Sequence, residues 1–308
     1  MSTALRGRFS WPALLAVFFW GVSFVALRHA LEGFTPFGLV ATRLAAGAAL
    51  LYALLALRGD GLLPSRADLG LCALLGAILG GHLSIQSYAM KLTSAINAGW
   101  IVAFIPVNIA LGAQLFLAQR LRALGWGGVA LASAGVVTVA MSDPPDVADA
   151  TSGDLLMLGS CVTWATYTLA ASGPVARNGA LRVTAFAMAV ASVLAAPAAL
   201  RNGFLDGPAT PRVLLSTAFL GLCCSGIAFA IWARAVDRDG AARAGAMVYF
   251  QPFVTLFASA LLLREPITWH ALVGGPIVLA GVWLMSRGVE RKPAPLPRTA
   301  AGAALREG

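Results

Sequence analysis

Residues 94–117 read SAINAGWIVAFIPVNIALGAQLFL and contain no charged side chain. An α-helix rises about 1.5 Å per residue, so about 20 such residues cross the hydrocarbon core of a bilayer. Every backbone polar group must be satisfied inside the segment there, and a helix does this without partners. Residues 94–117 therefore predict a membrane-spanning helix.

The rest of the chain has the same composition. Of its 308 residues, 59% are hydrophobic and 11% are charged, which lies outside the balance of a soluble globular domain. Breaks at Gly, Pro and charge clusters predict an all-α integral membrane protein with ten transmembrane helices. The predicted spans are 11–29, 36–57, 69–89, 94–117, 123–141, 154–172, 181–199, 213–235, 243–263 and 270–286.

The basic residues are distributed by side of the membrane. If the N-terminus is inside, most of the 22 Lys and Arg residues lie in inner segments, which is the rule for cytoplasmic loops. The sequence thus predicts a multi-pass protein of the cell inner (cytoplasmic) membrane with both termini in the cytoplasm. Residues 1–10 form the predicted cytoplasmic N-terminus, and the proline-rich residues 287–308 form a disordered basic tail. The net charge of +9 then reports topology, and no nucleic-acid partner is expected.

An internal repeat relates the two halves of the chain. A shift of 146 residues places Phe104 and Pro106 on Phe250 and Pro252, and a shift of 144 residues places Trp20 on Trp164. The predicted units are a first repeat, 11–141, an outer linker, 142–153, and a second repeat, 154–286. Because each half has five helices, an odd number, the halves run oppositely through the membrane. Inverted repeats around a central site are typical of secondary transporters.

Several short motifs occur in a fixed order along the chain. They are Phe19-Trp20-Gly21-Val22-Ser23-Phe24, Arg43-Leu44-Ala45-Ala46, the Pro106 helix, Gly153-Asp154-Leu155, Trp164-Ala165-Thr166-Tyr167, Pro252 and Leu263-Arg264-Glu265-Pro266-Ile267. With these motifs the chain resembles the EamA-type members of the drug/metabolite transporter superfamily, from about Trp11 to Arg287. The resemblance implies ten helices in two inverted halves and the export or exchange of amino acids and other small metabolites. Where that family usually ends its fourth helix with an acidic residue, this chain has Gln119 and Arg120.

Two tryptophans at related positions are candidates for a central substrate site. Trp20 and Trp164 lie about halfway along their predicted spans, whereas an indole that only anchors a helix belongs at the interface. We predict that they form aromatic walls of the site, with Tyr167 one turn from Trp164 and Ser23 in the Trp20 motif. Packing between helices is the alternative for each ring.

Two polar patterns extend the candidate site. His82 and Gln86 are four residues apart and share a helix face, where His82 is expected to bind a carboxylate, carry a proton or make an interhelical hydrogen bond. A second stripe in the fourth span has polar ends and an aromatic middle, which predicts a pore-facing surface. Its members are Asn97, Trp100, Phe104 and Asn108.

Proline interrupts the fourth and ninth spans at equivalent positions. Pro106 and Pro252 have no amide N–H to donate, so each is expected to kink its helix and serve as a hinge or as a purely structural bend. Tyr249 and Gln251 flank Pro252 and are expected to add hydrogen bonds to the substrate. Arg43 lies near the outer end of its span and is expected to extend towards the interface in an architectural role.

The predicted pocket is uncharged, since every Asp and Glu falls near a helix end, in a loop or in a tail. It suits a neutral or zwitterionic small molecule, amino acids with aromatic or hydrophobic side chains first. A broad-specificity drug/metabolite efflux protein and a passive facilitator are alternatives. The motifs of a membrane-embedded enzyme are missing, so no catalytic residue, metal or cofactor is expected. The expected partners are a small-molecule substrate and the lipid bilayer, and the predicted functional state is a monomer.

Overall fold

The computed structural model describes residues 10–116, 121–141, 148–239 and 247–288. The predicted N-terminal segment and the predicted tail therefore lie almost wholly outside the described residues, as do Gln119 and Arg120. The described part consists of helices joined by turns and loops, with an isolated β-bridge between Phe34 and Leu205.

The helices follow the predicted order of spans. They are α1 (Trp11–Ala30), α2 (Pro36–Leu57), α3 (Leu69–Leu92), α4 (Ala95–Val102), α5 (Ile105–Phe116), α6 (Ala123–Ala140), α7 (Ala148–Asn178), α8 (Ala180–Asn202), α9 (Pro211–Ala218), a π-helical segment (Phe219–Ile227), α10 (Ala228–Asp239), a 3-10 turn (Val248–Phe250), α11 (Gln251–Leu262) and α12 (Trp269–Gly288).

Nine stretches of the described residues are long and apolar enough to cross a membrane. They coincide with nine of the ten predicted spans, and several helices are broken or continued within them. The remaining predicted span, 243–263, contains the shorter apolar helix Val248–Leu262 and begins outside the described residues. α7 begins at Ala148, so residues 148–153 of the predicted outer linker are helical and extend the sixth span outward.

Helix starts follow from local sequence. Thr35, Ser94 and Thr210 are N-caps whose hydroxyl oxygens accept hydrogen bonds from backbone N–H groups three residues on. Proline follows Thr35 and Thr210 directly, and its missing N–H costs nothing in a first turn. These caps fix where α2, α4 and α9 begin.

Both predicted prolines lie just after an interruption in a helix. The fourth span is divided into α4 and α5, with Pro106 as the second residue of α5. Pro252 is likewise the second residue of α11, after the 3-10 turn. At the first break the Phe104 N–H donates to the Ile101 carbonyl at 2.9 Å, three residues back, as in a tightened turn. The helices are therefore interrupted just before both prolines, and the predicted kinks and their use as hinges stay predictions.

α6 and α12 pack along a glycine seam. A Cβ added at Gly128 would lie 2.2 Å from the Met285 backbone nitrogen. A Cβ added at Gly135 would lie 2.8 Å from the Gly274 carbonyl oxygen. Position numbers rise along α6 as they fall along α12, so the two helices are antiparallel. Small residues allow this close backbone approach, which is the main source of helix association in lipid.

A second pair of small-residue contacts joins α3 to α8 and α2 to the π-helical segment. The nearest atoms to a Cβ at Gly76 belong to Val190 and Ala187 of α8. The nearest atoms to a Cβ at Gly221 belong to Ala46 and Arg43 of α2. Both contacts bring helices from different halves of the chain together.

Ion pairs and hydrogen bonds join the loops and helix ends at one end of the bundle, which the charge distribution predicts to be the outer end. Lys91 pairs with Asp206 at 2.7 Å and Arg212 pairs with Glu32 at 2.5 Å, although both pairs are partly exposed. The Thr35 hydroxyl donates to the Gly203 carbonyl at 2.7 Å, beside the bridge at Phe34. These contacts join the loop after α1 to the loop after α8 and to α9, and they join the end of α3 to the loop after α8.

The opposite, predicted inner end contains a buried carboxylate. Asp68 accepts hydrogen bonds from Arg177 at 2.5 Å and from Asn178 at 2.7 Å. The Ser65 hydroxyl donates to the same carboxylate at 3.0 Å. Hydrogen bonds from Arg177 and Asn178 hold the pKa of the Asp68 carboxyl well below its usual range, because they favour the charged form.

Candidate functional site

Aromatic side chains from α1, α3, α7 and α10 meet in the bundle. The ring centroid of Trp20 lies 5.4 Å from that of Phe229 and 5.2 Å from that of Trp232. Trp164 lies 6.4 Å from Phe229, so the two predicted tryptophans contact the same phenylalanine. Trp164 also stacks on Tyr167 at 5.5 Å and lies 5.1 Å from the His82 ring. The central ring cluster comprises Trp20, His82, Trp164, Tyr167, Phe229 and Trp232.

The irregular part of the eighth span positions Trp20. The Trp20 indole N–H donates to the Cys224 carbonyl at 3.1 Å, and Cys224 lies within the π-helical segment. A π-helix shifts its backbone pairing by one residue and is often found at functional sites. This hydrogen bond fixes the plane of the indole against Phe229.

His82 is held by α7. Its Nδ1 lies 2.9 Å from the Ser160 carbonyl oxygen and 3.2 Å from the Thr163 hydroxyl, and the side chain is buried. A carbonyl oxygen only accepts, so Nδ1 carries a hydrogen and donates to Ser160. Nε2 is then the ring atom that is left to accept a hydrogen bond or a proton. The contact is the interhelical hydrogen bond that was one of the three roles expected of His82.

Arg43 is placed differently from the expectation. Its side chain does not extend to the interface: the residue is 7% exposed, and Nη2 lies 3.4 Å from the Ser225 hydroxyl of the π-helical segment. α2 packs against α8 and this segment, which bury the position. The guanidinium is therefore a charged group inside the bundle, whereas the sequence predicted an uncharged interior.

A cavity of about 500 Å³ opens at the predicted inner end, between α2, α8 and α10. Three arginines and one carboxylate line it, namely Arg58, Arg182, Arg234 and Asp60. Ala230 and Ala233 of α10 also face the cavity, and they alternate along the helix with the ring-cluster residues Phe229 and Trp232. The helix α10 thus contributes to both the cavity and the ring cluster.

The predicted polar stripe of the fourth span does not form one surface. All residues of α4, Ala95–Val102, are buried, because helices surround this short segment. Trp100 is 1% exposed, lies against Gly275 of α12 and makes an edge contact with Phe253 at 5.4 Å. Asn97 is buried beside it. The helix break at residues 103–104 separates both from Phe104 and Asn108.

The other predicted residues lie elsewhere on these helices. The Asn108 side-chain amide donates to the Phe104 carbonyl at 3.3 Å, and the Ser23 hydroxyl donates to the Trp20 carbonyl at 2.6 Å. Both bonds are local, between residues three or four positions apart in the chain. Gln86, Phe104 and Tyr249 are half-buried, and Gln251 is buried at the start of α11.

Sequence reasoning missed Phe229 and Trp232, which complete the ring cluster. They are three residues apart and share a helix face, and this was the available signal. The internal repeat did not indicate these two residues. The contacts of Gly76 and Gly221 show that the third and eighth spans correspond at a shift of 145 residues, and the positions equivalent to Phe229 and Trp232 are then Ser84 and Ser87, which have no ring. Among the described residues, no group of three His, Cys, Asp or Glu side chains is arranged to hold a metal ion.

A bundle of apolar spans of this length defines a multi-pass membrane protein. Known proteins are similar along nearly the whole chain. A "probable terminal-alkyne amino-acid exporter" of Streptantibioticus cattleyicolor is 31% identical over 90% of this chain and 93% of its own. A "probable amino-acid metabolite efflux pump" of Escherichia coli is 25% identical over 88% of this chain and 92% of its own.

A crystal structure that is 22% identical superposes with a TM-score of 0.66 over 90% of this chain and 97% of that chain, and it shows the fold alone. The EamA-like transporter family matches residues 11–141 and, separately, residues 151–287. The chain belongs to the EamA-like transporter family. It is a membrane-embedded transporter whose substrate is a small molecule.

Proposed function

We propose that this chain is a secondary transporter that exports or exchanges small neutral or zwitterionic metabolites, amino acids with aromatic or other apolar side chains above all. The observation that carries the proposal is the contact of Trp20 and Trp164 with one phenylalanine, Phe229. A flat apolar side group bound among these rings gains apolar burial and about 0.5–1.5 kcal/mol for each aromatic pair. The names of the two relatives, which refer to amino acids and their metabolites, agree with this substrate class.

Ten helices in two inverted halves are part of this proposal. The glycine seam supports it, because the repeat shift of 146 residues converts Gly128 and Gly281 into Gly274 and Gly135. Both pairs are in contact across the antiparallel helices α6 and α12. Similarly, the contact of Gly76 with Val190 corresponds to that of Gly221 with Ala46. Such reciprocal contacts are what a two-fold axis between the halves produces.

The difference between the two ends of the bundle supports alternating access. Cross-links join the loops at the predicted outer end, while a cavity of about 500 Å³ opens at the predicted inner end. We assign this state as inward-facing, in the cytoplasmic membrane with both termini inside. Substrate enters the cavity, binds among the rings of the cluster and leaves outward after the Lys91–Asp206 and Glu32–Arg212 pairs separate.

Within the predicted set, Trp20, His82, Trp164 and Tyr167 form the core of the proposed site, and Ser23 and Gln86 lie on the same helices. Asn97, Trp100, Phe104, Asn108, Tyr249 and Gln251 remain proposals for the other half of the site. Pro106 and Pro252 remain proposed hinges. The functional unit is proposed to be a monomer.

Flux measurements test the proposal. Purified protein in liposomes is assayed for uptake of labelled phenylalanine, leucine and phenethylamine, with and without a pH gradient. Trp164→Ala should raise the KM for phenylalanine by up to roughly tenfold, since the substrate ring loses one aromatic partner worth about 0.5–1.5 kcal/mol. Trp126→Ala is the matched control, because Trp126 is 48% exposed on α6.

The two variants must both fold, as judged by a monodisperse size-exclusion profile. If the wild type transports none of the labelled compounds, the proposed substrate class is wrong. If Trp164→Ala and Trp126→Ala transport phenylalanine equally, the ring cluster is not the site. A dependence of flux on the pH gradient would identify proton coupling, and independence would identify exchange or facilitated passage.

A further inference from the structure

We propose that Arg43 is the carboxylate-binding residue of the transport site, so that the transported molecules carry a free carboxylate. The inference rests on the proposed function and adds a substrate requirement to it. It is carried by a buried guanidinium that has no carboxylate partner among the described residues.

The environment of Arg43 leaves most of its hydrogen-bonding capacity unused. The residue is 7% exposed, and its one described side-chain bond is to the Ser225 hydroxyl at 3.4 Å, at the long limit for such a bond. Its Nε is fully buried and has no hydrogen-bond partner in the part of the chain that the structure describes. A guanidinium has five N–H donors and keeps its charge in proteins.

A buried, incompletely paired cation is costly unless an anion compensates it. The ion pairs described in the protein involve other residues and lie towards the two ends of the bundle. A small anion that enters during transport would supply the missing partner. Of the anionic groups in small metabolites, a carboxylate matches the planar fork of arginine with two parallel hydrogen bonds.

Arg43 lies beside the ring cluster. Ser225, its partner, follows Cys224, whose carbonyl accepts the Trp20 indole N–H at 3.1 Å. Trp20 in turn contacts Phe229, which also contacts Trp164. A molecule with its carboxylate on Arg43 would therefore have its apolar group directed towards the rings. The residue sets which end of the substrate enters the site first.

The cavity at the predicted inner end favours the same class of molecule. Arg58, Arg182 and Arg234 line it with one opposing carboxylate, Asp60. A cationic entrance attracts anions and repels amines, because the field of several like charges adds within a low-dielectric cleft. A carboxylate is thus favoured both at the entrance and at Arg43.

The test compares phenylalanine with phenylalaninamide, which lacks only the carboxylate, and with 3-phenylpropionate, which lacks only the amino group. Liposomes containing the wild-type protein are assayed for transport of phenylalanine, phenylalaninamide and 3-phenylpropionate. We expect transport of phenylalanine and 3-phenylpropionate, and a kcat/KM for phenylalaninamide that is lower by roughly 10- to 100-fold, the value of a charged hydrogen-bonded pair. Phenylalaninamide keeps the ring and the amino group, so a lower kcat/KM for this compound reports the contribution of the carboxylate alone.

Variants of Arg43 add a second readout. Arg43→Gln should remove the preference for phenylalanine over phenylalaninamide, and Arg43→Lys should keep the preference with a higher KM. Arg28→Gln is the control, because Arg28 donates to the Met90 and Thr93 carbonyls and is a structural arginine of α1. Arg28→Gln should lower stability and leave the preference unchanged.

The outcomes separate the two proposals. If the wild type transports phenylalanine and phenylalaninamide equally, the role of Arg43 is wrong while the proposed function stands, and this holds even if Arg43→Gln does not fold. If Arg43→Gln folds and keeps the wild-type preference, the role of Arg43 is equally wrong. If the wild type transports no member of the panel, both proposals are overturned.

Discussion

Replacing Gly128 by alanine tests the packing that joins the two halves. The added Cβ would lie 2.2 Å from the Met285 backbone nitrogen, whereas ordinary contacts begin at 3.4 Å. Backbone cannot rotate away as a side chain can, so α6 and α12 must separate by about 1 Å, which forfeits up to half of the local dispersion energy. Overpacking of this kind costs about 1–3 kcal/mol.

The matched control is the neighbouring residue on the same helix. A Cβ added at Gly127 meets nothing within 4 Å. Gly127→Ala should therefore leave stability unchanged or raise it by about 1 kcal/mol through helix propensity. Both variants are purified in the same detergent and melted by intrinsic tryptophan fluorescence.

The expected result is a Tm for Gly128→Ala that lies roughly 3–9 °C below that of Gly127→Ala, using about 3 °C for each kcal/mol in a chain of this size. Equal melting temperatures for the two variants would refute the close approach at Gly128. They would also remove the reciprocal contact on which the symmetry of the halves is argued.

Two further predictions concern the ends of the bundle. Because the pKa of Asp68 is lowered in the folded protein, its ionised carboxylate stabilises the fold above the unfolded pKa of about 3.9, and this stabilisation is lost as the pH falls below that value. The Tm of the wild type should therefore drop in acid, and that of Asp68→Asn should drop less. Equal acid profiles for the two proteins would contradict the Asp68–Arg177 contact. Phe34 and Leu205 face each other in a β-bridge, so the double variant Phe34→Cys/Leu205→Cys should form a disulfide that blocks transport until it is reduced. Transport by the fully oxidised variant would show that the predicted outer end does not open during transport.

The spans and their order were predictable from the sequence because apolar length alone decides whether a helix crosses a bilayer. Helix breaks were partly predictable: Pro106 and Pro252 indicated two of them. The start of α7 at Ala148 was not, because polar residues outside the hydrocarbon extend a helix without an apolar signal.

The candidate site was half predictable. The repeat identified Trp20 and Trp164, and the structure places both against Phe229. Trp100 was chosen for its spacing to two asparagines, yet that spacing does not reveal that neighbouring helices enclose α4 on every side. Periodicity identifies a helix face, and only tertiary packing decides which neighbour covers it.

Arg43 shows the same limit for charge. From its position near the start of α2, the Arg43 side chain was expected to reach the interface. In the structure Gly221 lies close to the α2 backbone, so the π-helical segment packs over Arg43 and buries it. The absence of glycine Cβ atoms there allows burial of a guanidinium among helices. The sequence of α2 alone does not show which helix packs against it, so the burial of Arg43 could not be predicted.

A structure of the protein in lipid nanodiscs with saturating phenylalanine would show where the substrate binds. We expect density for one phenylalanine among Trp20, Trp164 and Phe229, with its carboxylate within about 3 Å of the Arg43 guanidinium. The proposed site is wrong if the amino acid occupies a different position while these rings remain packed against one another as they are without it.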